Sequence, residues 1–164
     1  MVDETRIRRL TRTQHGVISF GQLLAAGLTP GTVRTRVRRG QLHRIHRGVY
    51  AVADPALLPL AGWSAALLAA GPRAVLSHRS AAALWRLVPA DSDLIHVTRL
   101  GRNDRVHRGV ATHRARCLDT RDVTTRANLR VTTPARTVID LATDASLSEV
   151  EARRLRGAGV QADH

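Results

Sequence analysis

The sequence predicts an α+β protein, in which a unit of three short helices and a β-hairpin precedes a small mixed α/β domain. Three observations carry this expectation. Three helical segments, each closed by a glycine, occupy residues 4–40. A strand-like run turning near Arg47-Gly48 follows directly. Beyond Asp54-Pro55 and Pro59, which read as a linker, helical and extended segments alternate.

The first helix spans Glu4–His15, with Ile7 and Leu10 apolar among Arg6, Arg8, Arg9 and Arg12 and Gly16 as its C-cap. Val17 and Ile18 form a short extended link. Ser19 is an N-cap for a second helix, Phe20 to Ala26, which Gly27 ends. Leu28 plugs into the core. Thr29-Pro30 is a cap followed by the residue favoured in a first helical turn, so a third helix runs to Arg39 and stops at Gly40. Gln41–Val52 reads as a two-stranded hairpin. Leu42 and Ile45 cannot share one face of a regular strand, so either Leu42 packs at the helix end or the strand carries a bulge. Three helices on tight turns with a hairpin behind them is the plan of a winged helix-turn-helix, expected over residues 1–53.

Residues 54–145 form the expected second domain. Helices are expected at Leu60–Ala70, after a Ser77 N-cap, and after Thr133-Pro134. Strands are expected at Ala74–Leu76, Ile95–Val97, Val110–His113 and Leu129–Thr132, with an exposed basic turn over Gly101–Gly109. Residues 146–164 are read as a terminal helix and a frayed tail.

Charge narrows the partner. Hydrophobic residues make up 43%, enough for a core, and aromatic residues only 2%, which leaves few rings to stack on unpaired bases. The formal net charge is +13, and every basic residue except histidine is Arg, since the chain has no Lys. Residues 1–50 hold ten Arg against Asp3 and Glu4; the rest hold sixteen Arg against eleven acids. The basic density therefore belongs to the N-terminal third, and double-stranded DNA is the expected partner. The single cysteine, Cys117, excludes an intrachain disulfide and a cysteine-based zinc site, fits a reducing cytoplasm, and reads as buried and inert. The N-terminus does not read as a signal peptide, and the apolar stretch Ala56–Ala70 is too short to span a membrane.

On the third helix Val33 and Val37 define the buried stripe. Thr32, Thr35, Arg38 and Arg39 fall opposite, with Arg34 and Arg36 on the flanks. The short Thr32 and Thr35 lie toward the helix end that enters a major groove in such motifs, and Arg38 and Arg39 are expected on phosphate. In the wing, His43, Arg44, His46 and Arg47 are placed to reach a minor groove or the backbone.

Enzyme readings are weaker. A restriction-type nuclease uses acidic magnesium ligands beside a Lys, and no Lys exists. Asp91-Ser92-Asp93 has the spacing of a nucleotidyltransferase carboxylate pair but lacks the Gly-Ser helix start that such enzymes carry. Ser77, His78 and Ser80 sit in no nucleophile elbow. His43 and His46 are the only close histidine pair and no third ligand is evident, so no metal, cofactor or catalytic residue is expected. Trp63 and Trp85 read as core, and Arg136 with Asp140, four apart on a helix, as an ion pair.

Several stretches carry a resemblance. They are His15-Gly16-Val17-Ile18-Ser19 with Gln22-Leu23-Leu24; Gly40 through Tyr50; Leu76 through Trp85; and Thr133 through Ala142. Together they resemble the AbiEi-type antitoxins of type IV toxin–antitoxin systems, in particular the actinobacterial proteins with that N-terminal domain. The resemblance implies a winged helix that represses its own promoter. It implies a second domain that assists repression or counters a nucleotidyltransferase-like toxin. Longer relatives continue into a very-short-patch-repair-like endonuclease domain, expected to be absent here. The resulting expectation is a cytoplasmic transcriptional repressor. A homodimer on repeated half-sites is compatible with it. The alternatives are a protein-interaction module and a truncated, inactive relative of an endonuclease-fused protein.

Overall fold

The computed structural model describes residues 1–54, 60–90, 93–101 and 107–144. The chain begins with α1 (Glu4–Thr13), β1 (Val17–Ser19), α2 (Phe20–Ala25), α3 (Pro30–Arg38), β2 (His43–His46) and β3 (Val49–Ala51). The strands form an antiparallel sheet of order β1-β3-β2. The extended link after α1 is thus an edge strand that completes the wing sheet, a pairing that the local sequence does not announce.

Local chemistry positions the three helices. Asp3 caps α1 by accepting from the Arg6 amide at 2.8 Å. Ser19 and Gln22 form a reciprocal capping box at the start of α2. Gly27 takes φ +90°, and the helix axis turns there into α3. Ile7, Ile18, Leu23, Leu28, Val33 and Leu42 close the shared core, with Phe20, Val37 and Tyr50 at its margin. Both resolutions of the hairpin's parity problem occur together. Leu42 is buried at the end of α3, and the β2–β3 register shifts between Arg44 and His46.

The second part contains α4 (Ala61–Ala70), β4 (Val75–Leu76), α5 (His78–Leu84), β5 (Ile95–Leu100), β6 (Val110–Ala115), β7 (Val123–Arg126) and β8 (Leu129–Thr132). Residues 134–144 form a further helix, α6. The mixed sheet has order β6-β5-β4-β8-β7. β5 and β6 are parallel, and the Ile95 amide donates to Gly109 at 2.8 Å. These two strands therefore do not form an antiparallel hairpin. The β7–β8 hairpin was missed in the sequence reading. Its turn is Ala127-Asn128, both with positive φ, and only Asn favours that conformation.

Helix α4 is apolar on two sides. Ala61 and Ala65 pack with Val17, Val49 and Ala51 of the wing sheet, while Ala66 and Ala70 join Leu76, Val97, Leu129 and Val131 in the core of the mixed sheet. Small side chains let both sheets approach one helix closely. His15 adds a polar tie, with Nε2 2.7 Å from the Ala127 carbonyl oxygen.

Two further expectations are corrected. Ser77 occupies the N-cap position of α5 but makes no side-chain cap bond. Its Oγ accepts from Thr98 Oγ1 of β5 at 2.7 Å and lies 2.9 Å from Nδ1 of its neighbour His78. Cys117 is exposed, because it follows the end of β6 outside any regular element. Trp63 and Trp85 pack against the main core, and Trp85 Nε1 donates to the Thr132 carbonyl at 2.8 Å. The expected terminal helix near Ser146, the tail, Asp91-Ser92 and much of the basic turn lie outside the described residues. Among the described residues no helix is long and apolar enough to cross a membrane.

Candidate nucleic-acid interface

Helix α3 starts at a Thr29 cap, which accepts from the Thr32 amide at 3.2 Å, with Pro30 in the first turn. Val33 is fully buried and Val37 half-buried, so the predicted stripe anchors the helix to the core. The other face is presented outward. Thr32, Arg34, Arg38 and Arg39 are exposed, and Thr35 is half-buried. Arg38 Nη2 donates to Thr35 Oγ1 at 3.3 Å, which aligns these two side chains.

Arg36 stands apart from its neighbours. It is half-buried and forms an ion pair with Glu4 at the start of α1. Its guanidinium ties the first helix to the third, a role that the helical wheel alone does not distinguish from a flank position.

The wing stands beside α3. His43, Arg44 and Arg47 are exposed and His46 is half-buried. The Phe20 amide donates to the Gly48 carbonyl at 2.7 Å, fixing the wing turn against the start of α2. Between helix and wing runs a groove of about 650 Å³, lined by Pro30, Arg34, Thr35 and Arg38 on one side and Arg44 and Tyr50 on the other, with Phe20 at its floor. Arginines on both walls make it a place for an anion. Burial and the charge of nearby His107 hold His46 below the usual imidazole value, so near neutral pH it adds no charge to the wing. Its ring meets that of His107 edge-on at 5.5 Å.

On α1, Arg6 Nη1 donates to the Ala25 carbonyl at 3.2 Å and so contributes to helix packing. Arg8 and Arg12 line a separate cleft of about 490 Å³ with Val52 and Leu60, which shares no residue with the α3 groove.

Residues 6–53 match the family of AbiEi antitoxin transcriptional regulators. The matched segment runs from the third residue of α1 to just beyond β3 and contains every residue of the α3–wing surface. The later resembling stretches, Leu76–Trp85 and Thr133–Ala142, lie outside the match. No curated protein matches the chain.

Sequence reasoning missed one constellation altogether. His78, His96 and His113 come from α5, β5 and β6 and meet in space, with Asp144 of α6 beside them. No local spacing signals it, because its members are separated by at least 17 residues.

Proposed function

We propose that the chain is a sequence-specific DNA-binding transcriptional repressor of the AbiEi antitoxin type, with residues 1–53 as its DNA-binding unit. Helix α3 enters the major groove with Thr32 and Thr35 toward base edges. Arg34, Arg38 and Arg39 hold phosphate, while His43, Arg44 and Arg47 extend the contact along the wing. Repression is steric, through occupation of the promoter. The observation that carries this reading is the exposed Thr–Arg face of α3 running beside a basic wing within the segment that matches the regulator family. Toxin neutralisation is assigned to residues 54–145, on the family's antitoxin role.

The test is fluorescence anisotropy on the protein's own upstream DNA and on a scrambled duplex, across a salt series. A preference of about 10³-fold or more, lost on replacing Thr35, Arg38 and Arg39 by Ala, establishes an operator-specific regulator. Equal, salt-sensitive binding to both duplexes removes the sequence-specific part of the reading. Absence of binding at low salt overturns it and favours a protein-interaction module.

A further inference from the structure

The histidine cluster is unused by the DNA-binding reading and lies in the other part of the fold. His78 is buried at the first turn of α5, and His96 and His113 are half-buried on the neighbouring parallel strands β5 and β6. The rings of His78 and His113 stack at 3.6 Å with 14° between planes. His96 Nδ1 lies 3.0 Å from His113 Nε2. From the far side Asp144 brings its Oδ1 to 3.7 Å from His78 Nε2.

We propose that His78, His113 and Asp144 bind one divalent transition-metal ion of the zinc class, with His96 orienting His113. One ligand atom from each of the three lies within 4.8 Å of the others. Ligands of a tetrahedral zinc stand at about 2.0–2.2 Å from the ion and hence about 3.3 Å from each other, so binding requires the stacked His78 and His113 rings to turn until both lone pairs meet at one point. Two imidazoles and a carboxylate are donors that zinc accepts, and they suit magnesium or calcium poorly.

The surroundings match what a metal ligand needs. Ser77 Oγ lies 2.9 Å from His78 Nδ1. With Nδ1–H donating to it, Nε2 carries the lone pair on the side of Asp144. Asp140 is buried beside the cluster, and among the described residues its Oδ2 has no hydrogen-bond partner. His78 also takes φ +49°, a conformation that non-glycine residues hold only when their surroundings require it. The ion would tie α5, the β5–β6 edge and α6 together, with one coordination position left over.

The proposal is tested on the full chain, stripped with a chelator and titrated with Zn²⁺ and with Co²⁺ as a spectroscopic probe. The expected result is one ion per chain and a Co²⁺ spectrum of nitrogen and oxygen ligands without thiolate charge transfer, unchanged in Cys117→Ser. His113→Gln and Asp144→Asn should each weaken Zn²⁺ binding about tenfold or more. Asp144 is partly exposed on α6, so Asp144→Asn separates loss of ligation from loss of fold, which circular dichroism confirms. No Zn²⁺ uptake by the wild type, wild-type affinity in both variants, or uptake abolished instead by His43→Ala overturns the proposal.

Discussion

Arg36 of α3 is ion-paired with Glu4 of α1, whereas Arg38, two residues on, donates among the described residues to its own helix neighbour Thr35. Helical periodicity places Arg38 opposite the buried stripe and Arg36 on its flank, and the structure commits Arg36 within the fold while Arg38 is exposed. On the proposed function, Arg38→Ala should lower the slope of log K against log salt by about 0.9, the value for one phosphate contact. Arg36→Ala should leave that slope unchanged and cost at most about 1 kcal/mol of stability, as for a partly exposed ion pair. Anisotropy across salt and urea denaturation read the two effects separately.

Gly27 closes α2 at φ +90°, and a Cβ there would come within 2.7 Å of the Met1 carbonyl oxygen. Gly27→Ala combines a left-handed backbone with that close contact. The expected loss is about 1–2 kcal/mol from the backbone alone. It should appear as a lower urea midpoint with an unchanged m-value.

His46 gives the wing a pH dependence of definite sign. Its folded value lies below that of an unfolded histidine, chiefly through burial and also through His107. The stabilisation is fully present above about pH 6.5 and is lost as the pH falls through the folded value, where the unfolded state binds the extra proton. Thermal melts should therefore show a larger fall in Tm between about pH 7.5 and about pH 5.5 for the wild type than for His46→Gln. Equal falls in the two proteins would refute the assignment.

Arg136 bridges two carboxylates, with Nε donating to Asp140 at 2.8 Å and Nη1 to Asp122 at 3.0 Å. Asp140 is only 6% exposed, so removing the guanidinium strands a buried charge. Arg136→Ala should destabilise the fold by about 3 kcal/mol, at the low end for breaking a buried pair because the arginine keeps some water contact. Chemical denaturation measures it directly.

The elements of residues 1–53 were legible because their signals are local. Ser19 with Gln22, Thr29-Pro30, and glycines at positive φ mark helix ends by chemistry that acts over three or four residues. The Val33–Val37 stripe and the outward Thr–Arg face follow from helical periodicity, and the Arg136–Asp140 pair from spacing of four. Burial of whole helices and pairing between distant strands follow no such rule. Tertiary structure alone decided that Val17–Ser19 joins the wing sheet and that β5 and β6 run parallel. It turned Arg36 inward to Glu4 and withdrew Ser77 from capping. It also brought three histidines and an aspartate from four elements to one point, since side chains far apart in sequence meet only where the sheet and its helices close.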